Sequence, residues 1–227
     1  MNIFFDTEFT GLVPNTTLIS LGMIAETGES FYAEFTDFNE RLVDDWQIEN
    51  VFANCVINHF KGYYPNHCDI KPFAWTVIGD SEFVANNLKT WLTSIYCKHC
   101  QEDGQTLQFV SDVCHYDMVL LCNLFGGAMK LPKWINPVCY DICQDICCRK
   151  EMSVNEHSGI IRWYADMDFM RDAFEISREA VCKAVAGKLP EGHKHNALYD
   201  AEVIKMIFEG MRGNTEKPAV NDNPVPL

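Results

Sequence analysis

The stretch Phe4-Phe5-Asp6-Thr7-Glu8-Phe9 sets two carboxylates directly after a short apolar run. We predict a buried strand over Asn2–Phe5 that leads into Asp6 and Glu8. Residues two apart on a strand point to the same face of the sheet, so both carboxylates can approach one ligand. Charged groups are rarely buried without a partner. We therefore interpret the pair as part of a functional site rather than as charges that merely solvate a strand end.

A second constellation, His195-Asn196-Ala197-Leu198-Tyr199-Asp200, lies near the other end of the chain. The apolar spacing predicts a helix over Ala197–Met211, so these residues stand at the entry to that helix. Taken alone, His195 is more simply a surface or core histidine, and Asp200 is a helix-start charge favoured by the helix dipole. Their occurrence together, in a chain that also carries the Asp6 and Glu8 pair, favours a functional interpretation.

Further candidate carboxylates lie between these two motifs. Asp117 follows Tyr116 and precedes the apolar run Met118-Val119-Leu120-Leu121. Asp112 is the alternative, because it follows Phe109-Val110-Ser111 at the end of a predicted strand, although it also suits a turn or a helix N-cap. We favour Asp117. Carboxylates that converge in a fold repel one another unless cations neutralise them, and Mg²⁺ or Mn²⁺ are the natural partners of oxygen ligands.

In this order, the three motifs resemble those of the DEDDh 3′-5′ exonucleases, a superfamily with a ribonuclease H-like fold. The surrounding sequence, including Leu18-Ile19-Ser20-Leu21-Gly22 and Leu121-Cys122-Asn123-Leu124-Phe125-Gly126, is most similar to a small stand-alone family of 3′-5′ exoribonucleases. The similarity runs from about Asn2 to Phe208. The sequence departs from the pattern before the middle carboxylate. Many members carry His-Asn four to five residues ahead of it, where this chain has Asp112 and Val113.

The resemblance implies a catalytic set with distinct roles for its members. Asp6 would bridge two divalent cations, Mg²⁺ or Mn²⁺. Glu8 and Asp200 would complete the ligands of one ion, and Asp117 would hold the other. His195 would be the general base, because its pKa lies nearest neutral pH among the side chains. His193 and His115 are expected to be loop residues.

The resemblance also implies a reaction and a substrate. The expected activity is hydrolysis of phosphodiesters from the 3′ end of single-stranded RNA, or of 3′ overhangs, to release nucleoside monophosphates. Thr7, Phe9 and Leu12 would line the pocket for the terminal nucleotide, where an aromatic ring can stack on a base. Simple packing is an equal alternative for Phe9. Phe73 and Trp75 are further stacking candidates.

Two other functions stay open at this point. One is a DNA-directed 3′-5′ exonuclease, since discrimination between RNA and DNA requires contacts to the 2′-hydroxyl that sequence does not reveal. The other is a catalytically idle nucleic-acid-binding module of the same fold. The net charge of −14 argues against a tight grip on long duplexes. A homodimer is also compatible with the resemblance.

The composition is that of a globular protein. With 227 residues, 48% hydrophobic and 22% charged, we expect one α/β domain over residues 1–212, a mixed sheet flanked by helices, followed by a disordered tail over 213–227. No apolar stretch approaches membrane-spanning length. The first residues carry neither a basic leader nor a signal-like apolar segment, so a cytoplasmic protein is expected.

The pattern predicts the following further elements: strands over Thr17–Glu26, Ser30–Phe35 and Leu107–Val110; helices from Ser81 to Leu92, over Asp117–Phe125, Cys139–Cys148 and Met167–Ala186; and a loop over Tyr63–Ile78. Ser81 is the expected N-cap of its helix, with Asp80 as the alternative. The chain has eleven cysteines, which we expect to be mostly small apolar core residues rather than zinc ligands.

Overall fold

A mixed β-sheet forms the centre of the molecule in a computed structural model, which describes residues 1–56, 75–146 and 177–213. Its strands are β1 (Asn2–Phe9), β2 (Leu18–Ala25), β3 (Ser30–Phe35), β4 (Trp75–Gly79), β5 (Gln108–Ser111) and β6 (Tyr140–Asp141). The helices are α1 (Asp45–Asn50), α2 (Ser81–His99), α3 (His115–Leu124), α4 (Arg178–Ala186) and α5 (Ala197–Gly213).

The strand order of the sheet is β4-β3-β2-β1-β5-β6. The first three strands form an antiparallel meander, whereas β4, β5 and β6 each pair in parallel with their neighbours. Parallel neighbours require crossover connections, and these supply the flanking helices. The predicted α/β class, a mixed sheet flanked by helices, is confirmed.

Alternating residues of β1 separate the two layers of the core. Ile3 and Phe5 pack in a cluster with α2 and α3 on one face of the sheet. Phe4 packs on the opposite face, with Tyr199, Val203 and other residues of α5. Because side chains alternate along a strand, Asp6 and Glu8 continue the face of Phe4. The two carboxylates therefore point toward the layer that contains α5.

The first turn of α5 lies directly on β2. A Cβ atom added at Gly22 would overlap the backbone of Ala197 and Leu198, so only glycine lets the helix approach this closely. Gly22 is also the antiparallel partner of Asp6. The close approach therefore brings the start of α5 over the strand position next to Asp6.

Two predicted segments are corrected by the structure. Trp75–Gly79 is a strand rather than part of a loop, because it pairs in parallel along the whole of β3 and covers that edge. Within the predicted helix Cys139–Cys148, Tyr140–Asp141 instead pairs with β5, and residues 142–146 are helical. Two residues of parallel pairing leave too weak a pattern to be recognised beside an apolar helix.

Other boundaries shift by smaller amounts. β1 extends through Phe9, because its antiparallel pairing with β2 continues beyond the apolar run. Asp80, not Ser81, is the N-cap of α2: its Oδ1 accepts a hydrogen bond of 2.8 Å from the Phe83 amide. The Ser81 hydroxyl instead donates to Asp37.

Several predictions fall on parts of the chain outside the described residues: the first part of the helix Met167–Ala186, the stacking candidate Phe73, and the tail beyond residue 213. The described part of that helix is α4, which begins after the Ser177 cap and ends at Gly187 in a left-handed conformation. Of the helices that the structure describes, none combines the length and apolar character needed to cross a bilayer.

We expect Gly22→Ala to lower the free energy of unfolding by about 1–3 kcal/mol, since overpacking in a rigid core costs about this much. The clash is with the backbone of Ala197 and Leu198, which cannot rotate away. Gly79→Ala is the matched control, because its nearest neighbour atom, at 2.6 Å, is on the side chain of Phe83, which is exposed and free to move. Urea unfolding measures both. Equal stabilities of the two variants would contradict the close approach.

Candidate active site

Four carboxylates from three elements converge where β1 meets the start of α5. Burial raises the pKa of Asp6 well above its ordinary value, and the negative charges of Asp200, Asp117 and Glu8 raise it further. This mutual repulsion shows an excess of negative charge that the nearby side chains do not compensate. Oxygen ligands with uncompensated charge are the donor set that hard divalent cations prefer. The residues therefore fit a divalent metal site.

Asp117 reaches the site from the edge of β1. The ladder between β1 and β5 ends at Phe4 and Val110, and beyond it the edge of β1 is met by the first turn of α3. There Oδ1 of Asp117 accepts a hydrogen bond of 3.1 Å from the Thr7 amide and one of 2.6 Å from the Thr7 hydroxyl. Burial raises the pKa of Asp117 to about 7, although the bonds from Thr7 oppose this rise. The Asp117 carboxylate thus accepts from a β1 amide at the edge where the pairing with β5 has ended.

The alternative middle carboxylate, Asp112, is engaged in an ion pair. Its Oδ2 accepts from Nε of Arg178 at the start of α4. Asp112, Asp141 and Cys143 have ligand atoms close enough to share an ion, but Arg178 also donates to the Cys143 sulfur at 3.1 Å. A guanidinium cation therefore lies on this second cluster.

His195 and Asp200 form a compact group with Glu8. The His195 amide donates to Oδ2 of Asp200 at 2.7 Å, and Nδ1 of the His195 ring lies 3.5 Å from Oε1 of Glu8. Single ligand atoms of these three residues all lie within 4.8 Å of one another. The pKa of Asp200 is raised well above its ordinary value by burial and by the charge of Glu8, while the His195 amide lowers it. The motif of His195 and Asp200 therefore lies against Glu8 of the first motif.

The predicted substrate-pocket residues lie in different surroundings. Thr7 is buried and its hydroxyl is bonded to Asp117. Phe9 stacks on Tyr116 with ring centroids 5.6 Å apart. Leu12 is 66% exposed on the turn after β1.

Other aromatic and histidine candidates are separated by the fold. Trp75 is on β4, and β3 and β2 stand between that strand and β1, so it lies away from the carboxylates. His193 is exposed and lies outside the helices and strands, as expected, whereas His115 is exposed but begins α3 instead of lying in a loop. His99, which stands between Cys97 and Cys100 in the sequence, has Nε2 2.8 Å from a carboxylate oxygen of Glu29.

Three contacts of the site were not anticipated from the sequence. The ring of Trp46, on α1, meets the His195 ring edge-on with centroids 5.1 Å apart, and it is 52% exposed. Asn54 and Asn196 join the segment after α1 to the His195 loop. Of the residues in these contacts other than His195, only Asn196 belongs to a motif recognised in the sequence, the stretch from His195 to Asp200. Trp46 and Asn54 lie about 150 residues before His195, and no local pattern indicates that they meet it.

Comparison with known proteins finds relatives by sequence similarity but no matching protein-family profile. Two curated proteins from two strains of Mycobacterium tuberculosis, both named 3′-5′ exoribonuclease, are 26% identical to it over 133 residues. The alignment covers 58% of this chain and 66% of the length of each relative. The resemblance to 3′-5′ exoribonucleases seen in the motifs is confirmed at the level of sequence similarity.

Solved structures give weaker likenesses. The structure of S. pombe Pop2p with Mg²⁺ and Mn²⁺ bound has a TM-score of 0.48 at 16% identity, covering 97% of this chain and 86% of that chain. The Neurospora crassa Pan2 catalytic unit, with its protease and nuclease domains, has a TM-score of 0.49 at 11% identity, covering 95% and 27%. At these scores no activity is transferred from either structure.

We expect the metal-free protein to lose stability as pH rises from about 4 to about 7. The folded-state pKa of Asp117 is about 7 against an ordinary 3.8, so the folded state binds this proton more tightly than the unfolded chain and is favoured at the acid end of that window. Each unit of pKa difference is worth about 1.4 kcal/mol. Asp117→Asn, which stays neutral and still accepts from Thr7, should flatten the dependence.

Urea unfolding in EDTA at a series of pH values measures this effect. Glu40→Gln, which changes an exposed carboxylate on the surface, should keep the wild-type dependence. If Asp117→Asn keeps it too, the protonation of Asp117 does not contribute to it. Part of the slope should survive in Asp117→Asn, because the pKa values of Asp6 and Asp200 are also raised.

Proposed function

We propose that this protein is a metal-dependent 3′-5′ exoribonuclease that acts on single-stranded RNA or on 3′ overhangs and releases nucleoside monophosphates. The observation that carries the proposal is the convergence of Asp6, Glu8, Asp117 and Asp200 with His195 in one group. The names of the two mycobacterial relatives support the reaction class and the choice of RNA.

The four carboxylates would hold two divalent cations, Mg²⁺ or Mn²⁺. Burial raises the pKa of Asp6, and the charges of the other three carboxylates raise it further, which is consistent with the role of shared ligand that the resemblance implies. Glu8 and Asp200 stand together on one side of it, and Asp117 approaches from the edge of β1. When bound, such ions supply positive charge at the phosphate and lower the pKa of water.

The protein's own contribution is to place a proton acceptor beside these carboxylates. The His195 ring would take the proton of the attacking water as the new P–O bond forms and the bond from phosphorus to the 3′ oxygen of the chain breaks. Glu8, 3.5 Å from the ring, would then stabilise the protonated imidazole by charge.

The substrate would enter from the side of Trp46, whose exposed ring lies beside His195. The net charge of −14 supports a substrate held at its end, through few phosphates, rather than along a duplex. A DNA strand is the alternative substrate of the same reaction, and RNA and DNA digested in parallel distinguish the two.

Purified protein with Mn²⁺ should shorten a 5′-labelled single-stranded RNA in a ladder of single-nucleotide steps. Asp6→Ala should abolish turnover, because the shared ligand is lost, while the metal-free variant melts at or above the wild-type temperature because repulsion is relieved. Gel electrophoresis and thermal unfolding measure these outcomes. Activity that persists in EDTA, or internal cleavage that spares a 3′ label, would contradict the proposal.

His195→Ala should lower kcat by roughly two to four orders of magnitude, the usual worth of general base catalysis. Metal affinity, measured by calorimetric titration, should persist, and the dependence of kcat on an ionisation near neutral pH should disappear. Lost metal affinity would make His195 a ligand instead of a base, consistent with its closeness to Glu8 and Asp200. Unchanged kcat with intact affinity would remove His195 from the mechanism.

A further inference from the structure

Both neighbours of His195 are hydrogen-bonded to one distant residue. The side-chain amide of Asn54 donates to the Lys194 carbonyl at 3.0 Å. The side-chain amide of Asn196 donates in return to the Asn54 carbonyl at 2.8 Å. The residues on each side of His195, Lys194 through its carbonyl and Asn196 through its side chain, are thereby tied to the segment that follows α1. We call this pair of bonds the asparagine clamp.

We propose that Asn54 is a positioning residue that holds His195 in its catalytic place through the asparagine clamp. The inference rests on the proposed function, in which His195 is the base.

His195 needs such support because of its backbone. Its φ is 63°, in the left-handed region that residues with a side chain rarely adopt. Conformations of this kind persist only where the surroundings impose them. The residues that lead into it, 191–194, are exposed, and Gly192 also has a positive φ. The approach to His195 is therefore a surface segment, and the clamp fastens it at its last residue.

The clamp is anchored firmly on the other side. Asn54 ends a short 3₁₀ helix whose Phe52 is fully buried in a cluster with Ile19 and Cys55. Its side-chain amide also donates to the Asn50 carbonyl at 2.6 Å. Two residues after Asn54, the Val56 amide donates to the buried Glu34 of β3 at 2.5 Å. The clamp thus connects the backbone around His195 to a segment that is anchored on the sheet.

Asn196 joins the clamp to α5. Its Oδ1 accepts from the Leu198 amide at 3.1 Å and from the Tyr199 amide at 3.2 Å, which is the bonding of an N-cap. One side chain therefore caps the helix that carries Asp200 and, through its amide group, holds the Asn54 carbonyl. The side chains of Asn54 and Asn196 each use donors that an aspartate lacks.

Loosening the clamp should displace the His195 ring. In the contacts described above, Asn54 bonds no carboxylate of the site, and its only link to them runs through the His195 amide, which donates to Asp200. Because Asp200 is carried by α5, we expect it to keep its place when that one bond weakens. A misplaced catalytic group costs roughly 100-fold in rate for a shift of about 1 Å. We expect Asn54→Ala and the near-isosteric Asn54→Asp to lower kcat by about 10- to 100-fold, with KM and metal affinity within about twofold of wild type.

The decisive experiment is a double-mutant cycle on single-stranded RNA with Mn²⁺. Asn54→Ala should cost nothing further, within about twofold, in the His195→Ala background, because a residue that acts only through His195 loses its effect when the ring is gone. Asn50→Ala is the matched control. It removes a side chain that, among the residues the structure describes, bonds only the Trp46 carbonyl of α1, and it keeps the carbonyl that Asn54 uses, so its kcat should equal that of wild type.

Hydrogen exchange of the metal-free protein provides a measurement that does not depend on activity. Asn54→Ala should speed exchange in the peptide over residues 193–198 and leave β1 and β2 unchanged. Full additivity in the cycle, or faster exchange with unchanged kcat, overturns the positioning role. A wild-type protein without exonuclease activity refutes the proposed function instead, whereas unchanged exchange in Asn54→Ala refutes the clamp itself.

Discussion

The repulsion among Asp6, Glu8, Asp117 and Asp200 is the constraint around which the rest of the structure is arranged. Burying four carboxylates together opposes folding, and the core must outweigh that cost before any cation binds. Buried apolar side chains on both faces of β1 offset this unfavourable free energy. Phe4 and Phe5 are fully buried directly before the carboxylates. The destabilising group thus directly follows fully buried residues of a central strand of the sheet.

The same constraint explains why few bonds in the site are spent on neutralising charge. Thr7 satisfies one oxygen of Asp117 and the His195 amide satisfies one oxygen of Asp200. Both donors are uncharged, so they orient the carboxylates without cancelling their charge. A lysine or arginine in these places would pair with the site and compete with cations, as Arg178 does at Asp112.

Much of this arrangement was predictable from local patterns, and the remainder depends on contacts between distant segments. The strand that ends in Asp6 and Glu8 and the helix that begins near Asp200 follow from the apolar spacing of their own residues. The sequence pattern already favoured Asp117 over Asp112, and the contacts of Asp117 with Thr7 and of Asp112 with Arg178 are consistent with that choice. The strand Trp75–Gly79 was missed because it is stabilised by pairing with β3. Asn54 was missed because single polar residues in turns are common and only the fold brings this one to His195.

The close approach of α5 to Gly22 has a consequence for the order in which the protein is made. Asp6 and Glu8 are synthesised before Asp200, which belongs to the last described helix. The strand can fold early with its meander partners, since amino-terminal units fold first during translation. The site stays incomplete until α5 has been synthesised and has docked on β2. A ribosome-bound chain that has not yet reached α5 therefore carries Asp6, Glu8 and Asp117 but lacks Asp200, so the candidate site cannot be assembled before the last described helix is made.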